Sequence, residues 1–198
     1  MVLIQHPLLD ALREFDVEAA LRFPSDYDNG LGQMGLLLCP KLENRGSWCT
    51  PKNSLTFAST GGDGVHFGFI VRDDKIAEDS PVIVTVPGNF EGPEFANHVV
   101  ADSLRNFLRF GLYRGYFALE QLAYRRDLTL EAYSSPDWQP TEDWHYSVGY
   151  YLDQDEQRVR DFLVERFNLT PLSYTVPEFD ALQDKYKPLL DYPADDEW

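Results

Sequence analysis

The chain of 198 residues holds only two cysteines, Cys39 and Cys49. That is too few for the disulfide framework of a small secreted domain, and no second Cys or His pair stands at zinc spacing. A reducing compartment is the expectation. Basic residues are scarce too: 17 Lys and Arg face 33 Asp and Glu, a formal net charge of −16. Such a field repels phosphate backbones and anionic membrane surfaces, which argues against nucleic-acid binding, and it speeds encounter with a basic protein. Acidity alone more often serves solubility, so charge by itself names no partner. No segment approaches the roughly 18 apolar residues of a membrane span. Met1 to Gln5 lacks a basic n-region, a long apolar stretch and a cleavage pattern, so the expected location is the cytoplasm.

Apolar material is plentiful, with 43% hydrophobic and 14% aromatic residues, enough for one compact core. Its spacing sets the elements. Pro7 opens a helix whose stripe is Leu8, Leu12, Phe15 and Ala19, ending near Arg22. Breaker clusters at Phe23-Pro24-Ser25-Asp26 and Asp28-Asn29-Gly30 follow, then a short buried strand over Met34 to Cys39, closed by Pro40. Leu55 and Phe57, then Val65, Phe67, Phe69 and Val71, alternate about Thr60-Gly61-Gly62-Asp63-Gly64, which predicts a hairpin. Arg72-Asp73-Asp74-Lys75 reads as a second polar turn, and Val82 to Val86 as a central strand stopped by Pro87-Gly88.

A loop over 88–97 leads to a helix capped by Asp102 or Ser103 and carrying Leu104, Phe107, Leu108 and Leu112. Gly111 and Gly115 mark a break before a second helical stretch, Phe117 to Arg126. Residues 134–151 show no period and read as loop with a short strand. Asp153 and Glu156 stand at capping-box spacing ahead of Val159, Phe162, Leu163 and Phe167. Pro177 opens the last helix, with Phe179, Leu182, Tyr186 and Leu189 on one face, before an acidic tail over 191–198. The expected fold is α+β: a central, largely antiparallel sheet with N-terminal and C-terminal helices packed around it, one domain over 1–198 with 134–198 as a helical extension.

Motifs for chemistry are weak. Gly61-Gly62-Asp63-Gly64 lacks phosphate-loop spacing, and a strand follows it where a phosphate loop needs a helix N-terminus. Asp63 and His66 are close in sequence, but no nucleophile accompanies them, and a sheet histidine more often packs or makes one hydrogen bond. His6, His66, His98 and His145 are scattered, with none at the i, i+4 metal spacing. The pairs Asp73/Asp74 and Asp195/Asp196 read as solvated charge. Ser54, Ser59 and Ser103 have no nucleophile-elbow setting, and Cys39 falls in the strand expected to be buried. Tyr133, Trp138, Trp144, Tyr146, Tyr150 and Tyr151 offer rings for either a contact surface or the core, and the core is the commoner use.

The order of motifs over Thr50 to Leu112 carries more. Asn53-Ser54-Leu55-Thr56-Phe57-Ala58-Ser59-Thr60-Gly61-Gly62-Asp63-Gly64-Val65-His66-Phe67 precedes Ser80-Pro81-Val82-Ile83-Val84, and Val100-Ala101-Asp102-Ser103-Leu104-Arg105-Asn106-Phe107-Leu108 follows. This order resembles the SUKH superfamily, which contains the bacterial Syd protein, fungal cell-wall assembly regulators and immunity proteins encoded beside polymorphic toxins. Phe23-Pro24, Tyr27 and Asn29-Gly30 are a compressed echo of the family's Leu-Pro, aromatic and Asn-Gly steps. The resemblance implies the same α+β fold, no cofactor, and a function of binding other proteins, and the scattered histidines give no support for a metal. An immunity-type protein that occludes a basic toxin domain is the leading expectation, with Asp63, His66, Asp73 and Asp74 as partner-facing residues. A housekeeping regulator of a host protein is the second reading. A small hydrolase built on carboxylates or on Asp63/His66 is the third.

Overall fold

The computed structural model describes residues 2–4, 6–25, 29–139 and 152–194. Helix α1 (Pro7–Arg22) starts where Pro7 predicts, and the His6 ring Nδ1 caps it by accepting from the Leu9 amide at 3.3 Å. Its buried face is Leu9, Leu12, Phe15, Asp16 and Ala19, with Leu8 only half-buried. A short strand β1 (Leu3–Ile4) precedes the helix.

Strand β2 (Leu37–Glu43) departs from the expected Met34–Cys39. Met34 is used in a 3₁₀ turn (Leu31–Met34) that ends at Gly35 with φ of 74°, a left-handed position suited to glycine. The strand then runs through Pro40, because β2 is an edge strand and a residue facing away from the ladder needs no amide donor. Cys39 is accordingly half-buried rather than buried.

The hairpin forms as expected, with β3 (Ser54–Ser59) and β4 (His66–Ile70) antiparallel in register Ser54↔Ile70 and Ser59↔His66. Strand β5 (Lys75–Ile76) pairs in parallel with β1. Strand β6 (Val82–Thr85) lies next to β4, and after a single helical turn α2 (Pro93–Ala96), strand β7 (Asn97–Ala101) completes the sheet. Its order is β2-β3-β4-β6-β7, antiparallel throughout. The fold is α+β.

Helix α3 (Leu104–Phe110) is capped by Ser103, whose hydroxyl accepts from Asn106 N–H, and not by Asp102. It ends before Gly111, where a Cβ would come within 2.2 Å of the Tyr116 ring. The second helical stretch is a 3₁₀ turn (Phe117–Gln121) followed by α4 (Leu122–Ala132), which kinks at Arg125 and outruns the expected end at Arg126. Helices α5 (Gln154–Phe167) and α6 (Val176–Tyr186) each start in a full capping box, Asp153/Glu156 and Thr175/Glu178. In the last stripe Phe179 and Tyr186 are buried while Leu189 is 44% exposed, and Leu190 takes the inward place.

Both sheet faces are covered, which is why Val82 to Val86 reads as a continuous apolar run. Phe67 and Phe69 face the main core with Val84 and Val82, their cross-strand neighbours. There Phe107 of α3 packs against Phe57 and Phe67, with ring centroids 5.7 and 5.0 Å apart. Leu12 and Phe15 of α1 and Val159 and Leu163 of α5 belong to the same cluster. On the opposite face Ile70, Ile83 and Val99 meet Tyr186 and Leu190. Among the described residues no helix is long and apolar enough to cross a membrane.

Candidate functional site

The four partner-facing residues expected from sequence divide between two ends of β4. Asp63 lies in the Gly61–Gly64 turn before the strand, and Asp73 and Asp74 in the turn after it. Five strand residues separate them, about 17 Å at the usual rise per residue. The three aspartates therefore form two displays. All three are exposed and hold left-handed backbone, with φ of 47°, 51° and 55°. Positive φ at both Asp73 and Asp74 is what a two-residue reversal needs, and the Arg72 and Lys75 backbones close it with reciprocal bonds of 3.2 and 2.9 Å. At its first corner Arg72 pairs with Asp79 at 3.2 Å.

His66 is withheld from the surface, 2% exposed. Its Nδ1 lies 2.8 Å from the Gly64 carbonyl and its Nε2 3.2 Å from the Thr50 hydroxyl. A carbonyl only accepts, so Nδ1 carries the proton and Nε2 accepts from Thr50. Burial lowers the ring's pKa below the ordinary histidine value, and the nearby Arg45 charge adds to the effect. Neither ring nitrogen engages Asp63. His66 thus holds the base of the hairpin turn, placing Asp63 without reaching a partner itself.

At the Asp63 end the fold assembles rings that no sequence period connects. The Trp48 indole donates to the Pro87 carbonyl at 3.2 Å and stacks on Phe90, with centroids 5.9 Å apart and planes within 13°. Phe90 is 81% exposed, Tyr124 51% and Phe117 37%. The Asn89 amide bonds the Ala123 carbonyl at 2.8 Å, tying the loop after β6 to the helix that carries Tyr124. A Cβ on Gly88 would stand 3.1 Å from the Tyr124 hydroxyl, and one on Gly64 3.5 Å from Pro87, so turn, loop and helix meet. Glu120 adds a second carboxylate. Partial burial raises its pKa and the Asp63 charge raises it further. Tyr124 is raised by burial, then by Glu120 and Asp63. Arg45 borders this end from a shallow cup of about 310 Å³ shared with Ser59 and Gly61–Val65.

Of the rings considered from sequence as a contact surface, two fall among the described residues, Tyr133 and Trp138. Tyr133 is fully buried, its hydroxyl donating to the Gly115 carbonyl at 2.9 Å, and Trp138 packs half-buried against the core. Trp144, Tyr146, Tyr150 and Tyr151, like Tyr27, His145 and Asp195/Asp196, fall outside the described residues. Among the described residues no three His, Cys, Asp or Glu side chains group closely enough to hold a metal. No family model, no curated protein and no solved structure matches the chain.

Proposed function

We propose that the chain is a non-enzymatic protein-binding module of the immunity type, acting in the cytoplasm by covering the active surface of a basic toxin domain. The observation that carries this reading is the display of Asp63, Asp73 and Asp74 on exposed left-handed turns of a chain with net charge −16. Carboxylates presented this way meet a surface that would otherwise hold phosphate, and steric cover needs no catalytic group. The ordered motifs of Thr50 to Leu112, with their resemblance to the SUKH superfamily, support the same reading, and the α+β fold agrees with it.

The test is retention of proteins from native lysate at low and moderate salt, identified by mass spectrometry. A specific basic effector supports immunity. A membrane or cell-wall component favours the housekeeping regulator. With the partner in hand, Asp63→Asn combined with Asp73→Asn and Asp74→Asn should slow association and flatten its salt dependence. Unchanged on-rates would remove the electrostatic account.

A further inference from the structure

Among the described residues Phe90 leaves more of an aromatic ring in water than any other, at 81%. Exposed apolar area gives up burial free energy in the isolated chain, yet the fold spends several bonds on fixing this ring. Trp48 stacks beneath it and is anchored on Pro87, while Asn89 both bonds Ala123 and accepts from the Glu91 amide at 3.1 Å. A rigid aromatic displayed in this way loses little entropy on binding. Tyr124 extends the ring surface next to Gly88.

The charges registered at this end select the occupant. Glu120 stands four residues before Tyr124, and Asp63 adjoins Gly64 where the turn meets Pro87. Two carboxylates thus flank the rings with Arg45 on the far side of the turn, and their charges act on Tyr124. A second copy of a chain with charge −16 is repelled, and so is a phosphate backbone, although bases could stack. An arginine guanidinium meets both requirements: its plane stacks on rings and its fork bonds carboxylates. Both turns have basic neighbours, Arg45 beside Asp63 and Arg72 and Lys75 beside Asp73 and Asp74, so it is the exposed rings of Phe90 and Tyr124 that single out the Asp63 end.

We infer that the hairpin-turn end of the sheet, with Phe90, Trp48 and Tyr124 as stacking surface and Asp63 and Glu120 as charge, docks an arginine-bearing loop of a basic protein. This rests on the binding reading and names its surface and the chemistry it recognises.

The test titrates the isotopically labelled full chain with a capped hexa-arginine peptide at physiological ionic strength and follows backbone amides by NMR. Saturable shifts should concentrate at Gly61–Gly64, Gly88–Glu91 and Phe117–Tyr124. Hexalysine of equal length should bind about five-fold more weakly, because an ammonium stacks less well. Phe90→Ser with Tyr124→Ser, both at exposed positions and checked by circular dichroism, should weaken hexa-arginine about ten-fold and hexalysine far less. A double substitution Asp63→Asn, Glu120→Gln should weaken both peptides. Shifts centred on Asp73 and Asp74, equal affinity for the two peptides, or no saturable shift would each overturn the inference. So would concentration-dependent shifts of the same amides without peptide, which would make a second copy the occupant. If the ring variant retains a lysate partner as firmly as the wild type, this surface is wrong and the binding reading stands. If the wild type retains no protein while the peptide map holds, the binding reading fails and arginine recognition here survives.

Discussion

Asp16 lies on the buried face of α1, where one carboxylate oxygen accepts the Leu31 amide at 2.7 Å and fixes the chain's return after the helix. Burial raises its pKa, and the bonds from Leu31 and Gly30 only partly offset this. A raised acid favours the protonated form, so its contribution to stability is full at low pH and is lost as pH rises through the folded value. Asp16→Asn keeps an acceptor and removes the charge. It should match or exceed wild-type stability at neutral pH, with the gap closing below about pH 4. Asp16→Ala should lose about 1–2 kcal/mol, since Leu31 N–H is left without its acceptor. Urea unfolding of the three proteins across pH checks both. His98 has the opposite sign: burial, with Lys187 nearby, pushes its pKa down to about 3. Its contribution is present above the ordinary histidine value near 6.5 and is lost as pH falls. The stability difference between wild type and His98→Gln should therefore shrink between pH 7 and 5, by at most about 1.4 kcal/mol per pH unit. A difference independent of pH would refute the assignment. None of this was legible in sequence, because the residue types are visible there and their burial is not.

Elements were legible in proportion to their periodicity. Helices α1, α5 and α6 and the β3–β4 hairpin carry enough repeats or turn residues to declare themselves. Strand β7 does not: it spans five residues, follows a single helical turn, and lies inside what reads as a loop and a helix cap. Helix α4 reads as shorter than it is because Arg125-Arg126-Asp127 interrupts the apolar pattern, although Thr129, Leu130 and Ala132 beyond it are buried. Its far end depends on Arg114, a charged side chain only 1% exposed. The guanidinium donates to the carbonyls of Ala132, Ser135 and Trp138 and lies over the Trp138 ring at 5.1 Å. The Ala132 carbonyl is one that the helix's last turn leaves open, and those of Ser135 and Trp138 belong to the segment that follows it. Arg114→Lys keeps the charge but cannot reproduce a planar fork, so it should cost about 2–4 kcal/mol. Hydrogen exchange should quicken first at residues 132–138, and uniform acceleration across the chain would refute this local role.

At the scale of the whole molecule, 33 acidic against 17 basic residues make the compact state repel itself. Ion pairs with a resolved geometry, such as Arg158–Asp155 and Arg160–Asp161, lie at the surface and offset little of this. Raising sodium chloride from low to physiological concentration should thus raise the urea midpoint, because screening acts on the net repulsion. A midpoint that falls with salt would show attractive pairs to dominate. The ring surface at the Asp63 end belongs to this scale as well. Trp48, Phe90 and Tyr124 come from three segments more than 30 residues apart in sequence, so only the closed fold brings them together.

Closure itself runs through Gln183, whose side-chain amide bonds both the N–H and the C=O of Val99 at 2.9 and 2.7 Å, occupying the outer edge of β7. Asn53 likewise binds the Leu189 carbonyl and the Asp191 amide. Partners 84 to 138 residues apart meet in these bonds. A chain growing from the ribosome therefore has its full sheet sequence available well before anything can seal that margin. Throughout this interval β7 is an open template for strand pairing. The hazard of misassembly falls on the nascent chain, and it ends when α6 emerges.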